Sequence, residues 1–237
     1  MCGRYVLYGP DGALADWFGA AELPPVVARW NIPPTAQVLA VVAEDGRRIG
    51  RALRWGLVPH WARDTAIGAR LNNARVETAA IKPAFRGAMR RARCLIPANG
   101  FYEWKQVGGS PRPRKQPYYI HPVGEPFFAF AGLVEHWSGP DGVLRTCCIL
   151  TGPANEAMAP IHDRMPMMVA PERFDEWLDP AQTDAQRAVS LLAPWPADRM
   201  ATHPVRSAVS NPRNQGPALI EPAEEGAQPG ADGPNSA

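Results

Sequence analysis

Cysteine is scarce in this chain, which holds four in 237 residues: Cys2, Cys94, Cys147 and Cys148. No pair has CxxC spacing, and adjacent cysteines rarely bridge each other. Neither a disulfide framework nor a structural zinc site is expected, and no cofactor or metal is called for. Long apolar runs are missing too, and none approaches the roughly 20 residues needed to span a bilayer. The N-terminal stretch lacks the basic start and apolar core of a secretory signal. A location in the cytoplasm, nucleoid-associated when nucleic acid is bound, is therefore expected. Glycine-rich phosphate loops, dinucleotide fingerprints and internal repeats are also absent from the sequence.

What is abundant is punctuation. Twenty-seven prolines and 21 glycines leave room only for short elements. Strand candidates fall at 54–58, 94–96, 118–120, 127–134, 144–150 and 165–169, with a hairpin turn at Gly139-Pro140-Asp141-Gly142. Helix candidates are 13–19, a basic stretch at 84–93, 171–178 with proline at its first turn, and 183–192. The order is not βαβα. The expected fold is therefore α+β, a single domain over 1–221 with a strand-rich, largely antiparallel sheet core and short flanking helices. Residues 222–237 turn to Pro, Glu, Gly, Ala and Ser and read as a disordered acidic tail.

Charge is nearly balanced overall, at +2, yet unevenly placed. Between Arg47 and Arg93 stand eleven arginines and one lysine against Asp64 and Glu77. Guanidinium groups pair bidentately with phosphate, so this excess suits a nucleic-acid face; a solvated surface is the plainer alternative.

The inner cysteines sit in apolar runs and read as buried small side chains. Cys2 does not. If Met1 is removed, Cys2 presents an α-amine and a thiol on adjacent carbons, a 1,2-aminothiol that no internal cysteine offers. The ordinary pKa values, near 8 for the amine and about 8.5 for the thiol, leave both nucleophiles partly available at neutral pH.

Three polar stretches accompany it: 71–78 around Asn73, 96–104 around Glu103, and 161–166 around His162. Glu103 lies between Tyr102 and Trp104, and excluding water favours the protonated form of a carboxyl. Taken singly, each has a bland reading: a solvent-facing strand glutamate, a hydrogen-bonded turn histidine, an asparagine capping a turn. Together with an aminothiol they form a kit for capturing an aldehyde as a Schiff base that closes to a thiazolidine. DNA carries such an aldehyde wherever a base has been lost.

The ordered motifs MCGR at the start, WGLVPxW at 55–61, NARxET at 73–78, CLIPAxGFYEW at 94–104, FAGL at 130–133 and HDRMP at 162–166 resemble the SOS-response-associated peptidase (SRAP) family. The resemblance runs to about Glu221. It implies covalent capture of abasic sites in single-stranded DNA, including single/double-strand junctions, by a monomer. It carries the nucleophile onto Cys2 and supporting catalytic roles onto Asn73, Glu103 and His162, the register Asn-Ala-Arg favouring Asn73 over Asn72. DNA contacts fall on Arg4, Arg75 and Arg86, a wedge on Trp61 with Pro34, and a backbone contact on Thr151. Strand cleavage at the Schiff-base stage (lyase activity) and self-removal of Met1 are further implied activities. Two rival readings stay open on the residues: an N-terminal-nucleophile peptidase or amidase, and a reader of modified or single-stranded DNA without chemistry.

Overall fold

The computed structural model describes residues 2–108 and 114–223; residues 224–237 of the expected tail lie outside the described residues. The first half contains β1 (Tyr5–Leu7), α1 (Asp11–Phe18), β2 (Arg29–Ile32), β3 (Gln37–Glu44), β4 (Arg47–Trp55), β5 (Asn73–Arg75), α2 (Val76–Ala79), α3 (Arg86–Arg91) and β6 (Arg93–Ala98). There follow β7 (Gly100–Val107), β8 (Arg114–Pro122), β9 (Phe128–Gly139), β10 (Gly142–Pro153), β11 (Arg164–Pro166), α4 (Phe174–Leu178), α5 (Ala185–Ser190) and β12 (Met200–Pro204). The α+β expectation holds.

Tight turns set the strand pairing. Asp45 and Gly46 link β3 to β4 with φ of 50° and 71°, the two left-handed residues of a type I′ hairpin, which aspartate and glycine tolerate best. Register then pairs Glu44 with Arg47 and Gln37 with Arg54. The Pro140-Asp141 loop joins β9 to β10, which pair from Gly139↔Gly142 to Gly132↔Ile149.

The long, β-branched strands close on themselves. β4 pairs with β3, β3 with β6, β6 with β9, β9 with β10, and β10 runs parallel to β4 at Thr146 and Cys147. This ring removes the free edges that an open sheet exposes. Its last third carries β5 in parallel pairing, Ile149↔Asn73 to Thr151↔Arg75, and β11 in antiparallel pairing. Against the barrel lies a second sheet in the order β12-β8-β7-β1-β2.

β1 occupies the seam between these layers. Cys2, Tyr5 and Leu7 belong to the main core, whereas Val6 points to the other face and joins Tyr102, Tyr119, Val205, Val209 and Leu219. The chain after β12 thus covers the outer face of the second sheet. That is why all three residues of β1 are buried.

The sequence placed some boundaries differently. The strand expected at 54–58 is the end of β4, and β3 was not anticipated at all. The 84–93 stretch is helical only from Arg86 to Arg91, because Arg93 begins β6. Nor is Arg93 part of a basic face. It is 4% exposed and donates to the carbonyls of Met89, Arg90, Trp177, Asp179 and Gln182 at 2.6–3.0 Å. These include carbonyls at the ends of α3 and α4, which have no partner within their own helices. No helix among the described residues is long and apolar enough to cross a membrane.

Replacing Arg93 by methionine strands several buried carbonyls, each costing about 1–3 kcal/mol when unpaired. A total loss of about 3 kcal/mol or more in urea unfolding is expected, with Arg93→Lys recovering part of it. A loss below about 1 kcal/mol would mean the five contacts are not what holds these helices.

Candidate active site

The site is built where the barrel meets the second sheet. The position of Cys2 is fixed by the strand that follows it and by Asn73. Asn73 Nδ2 donates to the Cys2 carbonyl at 2.6 Å. Asn72 takes part through its backbone: its carbonyl receives the Trp55 indole N–H at 2.8 Å and the Ile149 N–H at 3.0 Å. The pairing of β5 with β10 makes this choice, and Asn73 is the asparagine at the site. Its Oδ1 is buried without a partner, which leaves one acceptor beside Cys2 for an incoming group.

Cys2 is fully buried. Burial pushes its thiol up to about 12, with the negative charge of Glu103 adding in the same direction. The sequence-based expectation of a partly ionised thiol is therefore corrected: in this state it is protonated at neutral pH, because a thiolate there would lose its hydration. Glu103, on β7, is 6% exposed and accepts the following N–H, that of Trp104, at 3.2 Å.

His162 opens the other wall. Its Nδ1 accepts the Arg164 N–H at 3.0 Å and lies 2.8 Å from Asp163 Oδ1. The first contact needs a bare nitrogen and the second a protonated one. Arg164 anchors this loop through a two-pronged pair with Glu77, both at 2.9 Å, and a 2.6 Å bond to the Thr151 carbonyl. The pair holds the Glu77 carboxyl below its ordinary range.

Arg4 stands at the mouth of a cleft of about 830 Å³ lined by Glu103, Trp104, His162 and Ser210 among others. Sequence reasoning missed what positions it. Asn31, fully buried in β2, accepts Arg4 Nη1 at 2.7 Å and donates to the carbonyls of Val209, Asn211 and Asn214 at 3.0–3.1 Å. The segment so held brings Ser210 to the Trp104 indole N–H at 3.2 Å, and the Arg4 guanidinium lies 5.8 Å from the Trp104 ring centroid. The available signal was one polar residue inside the apolar Trp30-Asn31-Ile32 strand.

The remaining expected contacts fall into two groups. Trp61 is 52% exposed, and Trp137 Nε1 ties its loop down at the Ala62 carbonyl, 2.8 Å away. The Pro33-Pro34-Thr35 turn leaves the same end of the β3–β4 hairpin, since Thr35 N–H donates to the Trp55 carbonyl. Thr35 has φ of 70°, strained for a β-branched residue. Arg75 and Arg86 are exposed. Thr151 is not on the surface: it is fully buried, and its hydroxyl donates to the Ala74 carbonyl at 3.4 Å. Among the described residues, no cluster of three histidine, cysteine or acidic side chains could hold a metal ion.

The sequence matches the family model described as SOS response associated peptidase (SRAP) over residues 1–212. The chain belongs to the SRAP family. It is similar to abasic site processing protein YoqW of Bacillus subtilis strain 168, 41% identical across 93% of this chain and 99% of that one. Abasic site processing proteins YedK of Escherichia coli K12 and HMCES of Gallus gallus are each 33% identical; the matches cover 84% and 78% of this chain, and 86% and 60% of theirs. A solved protein from Bacteroides thetaiotaomicron shares the fold, with a TM-score of 0.80 at 24% identity over 94% of this chain and all of that one. A phage-related protein from Bordetella bronchiseptica gives a TM-score of 0.70 at 31% identity, covering 87% of this chain and 95% of its own. The SRAP motifs quoted from the sequence therefore sit around one point: NARxET supplies Asn73 and Glu77, the 94–104 run Glu103 and Trp104, and HDRMP His162 and Arg164.

The Cys2 thiol is raised in the folded state, so folding favours its protonated form. Between the ordinary thiol value of 9.0 and about 12, the unfolded chain has lost this proton and the folded one has kept it. Stability should fall there by about 1.4 kcal/mol per pH unit from this group alone. In urea titrations across that range, Cys2→Ala is expected to show a slope shallower by one proton; an identical slope would place the thiol in water.

Proposed function

We propose that this chain recognises abasic sites in single-stranded DNA and captures them covalently through Cys2, shielding the lesion from strand cleavage during the response to DNA damage. The observation that carries this reading is that Cys2 is held by Asn73 and feels the charge of Glu103, which lines one cleft together with Arg4 and His162.

The chemistry follows from what each group can do there. Loss of Met1, by self-processing or by an aminopeptidase, frees the α-amine. Arginines including Arg4, Arg75 and Arg86 hold phosphates, and Trp61 with Pro34 interrupts stacking at a single/double-strand junction, so the baseless sugar turns inward. Glu103 takes up the proton of the C1′ hydroxyl and passes it to the ring oxygen, so that the closed sugar opens to the C1′ aldehyde. The amine adds to C1′, and water leaves with proton transfers assisted by His162, giving the Schiff base. The Cys2 sulfur then adds to the same carbon, its proton passing to the nitrogen as the thiazolidine closes. Asn73 keeps the Cys2 carbonyl in place through its amide N–H and offers Oδ1 to a sugar hydroxyl. Thr151 contributes through its carbonyl, which holds Arg164, and through the adjacent backbone. The protein acts as a monomer, and the Schiff base can also partition to strand cleavage.

The protonated thiol favours this order of events over a peptidase mechanism. A cysteine hydrolase attacks with a thiolate, and burial beside Glu103 disfavours one. An amine-first reaction uses the sulfur only after the carbon has become an iminium, an electrophile strong enough to meet a thiol whose proton is being taken up nearby.

A single-stranded oligonucleotide with one abasic site should yield a denaturant-resistant protein–DNA band that Cys2→Ala abolishes. Glu103→Gln is expected to slow its formation by about 10²–10⁴-fold, the range for losing a positioned proton donor. Peptide cleavage without such a band would favour the hydrolase; a shift on native gels alone would favour a non-catalytic reader. Equal single-turnover rates for Glu103→Gln and wild type would remove Glu103 from the acid role.

A further inference from the structure

The cleft has a wall that the reading above does not use. β1 pairs with β7 only at Gly100 and Phe101, and the Tyr102 N–H still reaches the Arg4 carbonyl. From Glu103 onward, that edge of β7 has no strand beside it among the described residues. β7 and β8 run on together, Glu103↔Tyr118, Lys105↔Gln116, Gln106↔Lys115 and Val107↔Arg114. Directly opposed residues share a face. Glu103, Lys105 and Arg114 therefore lie in a row on one face of the hairpin, and Trp104 and Lys115 on the other. Lys105 and Lys115 both line the cleft that contains Glu103 and His162.

Their charge is unused. Arg48, Arg51, Arg164, Arg187 and Arg199 each hold a carboxylate, whereas neither lysine forms an ion pair among the described residues. The nearest acidic group along the row, Glu103, is buried at its inner end. What remains toward solvent is cationic: Lys105 on that face and, on the opposite face, Lys115, both lining the one cleft. Lys105 is half-buried and so held along the cleft wall, and Lys115 is exposed beside it.

We propose that the β7–β8 hairpin is a second phosphate track, on which Lys105 and Lys115 hold the single strand as it leaves the captured nucleotide. This rests on the capture reading. Asn73, which holds Cys2, and Arg75 two residues further along β5 belong to the barrel, whereas Glu103 and the lysines belong to the second sheet. The strand enters past Arg75 on one layer and leaves along the hairpin on the other. The lesion is thus gripped from both flanks, and Cys2 lies between them. Single-stranded nucleic acid is the occupant because both lysines line the same cleft as Glu103, whose charge reaches the Cys2 thiol, and because lysines act on phosphate as point charges without reading bases.

The test uses the full chain with Lys105→Gln and Lys115→Gln together, and abasic oligonucleotides of three kinds: extended on both sides, cut short on the 5′ side, and cut short on the 3′ side. On the long strand the double variant should bind several-fold more weakly at low salt. Its log–log salt slope should be shallower by about 1.4, from two phosphate contacts on single-stranded nucleic acid. With one of the two shortened strands, and only one, the gap between variant and wild type should close. Equal slopes on the long strand would overturn the proposal, as would a gap that persists on both shortened strands. So would equal competition by polyglutamate with the same lysine dependence, which would make the track a site for acidic peptide. If wild type forms no covalent band on any strand, capture itself fails, an outcome seen without either variant.

Discussion

The amide of Asn73 on the carbonyl of Cys2 fixes the geometry of everything else. Chain ends are usually loose, and a nucleophile at residue 2 would be poorly aimed if it frayed. Here β1 is buried on both faces, sandwiched between the barrel and the segment that follows β12. Cys2, three residues before it, is pinned to β5 by a 2.6 Å bond. The second sheet supplies Glu103 and Arg4, the barrel supplies Asn73, and the loop before β11 supplies His162. Without this fixed start of the chain these groups would surround an empty seam.

Burial at that seam has an electrostatic consequence. A thiol held protonated by desolvation and by Glu103 is a poor first nucleophile, which is why the proposed capture opens with the amine. Arginine is used on the same economy. Arg93 is a bracket for helix ends, Arg48 and Arg51 hold Asp175 and Glu44, and Arg164 steadies the His162 loop. Counting basic residues between Arg47 and Arg93 therefore overstates the basic face. Arg75 and Arg86 remain exposed on it.

Much of this was legible in the chain itself. The Gly139–Gly142 turn marks one hairpin, and the ordered motifs name Cys2 and Asn73, which the structure joins, and Glu103 and His162, which line one cleft. What the sequence could not carry was register and closure. That β10 bonds β9 along one edge and β4, then β5, along the other is a long-range fact, and only this pairing turns Asn73 rather than Asn72 toward Cys2. Asn31 was invisible for the same reason: its four partners lie at Arg4 and beyond residue 208, joined only after folding. Thr151 reads as a surface contact from its place after an apolar strand, yet the β5 crossing buries it.

Capture by nitrogen and sulfur of a single residue requires a free amine, so the mass of the N-terminal peptide of active protein is decisive. It should begin at Cys2, and after reaction with abasic DNA it should carry the sugar remnant on that residue. Active protein that keeps Met1, or whose front end is acylated, would contradict the thiazolidine chemistry outright.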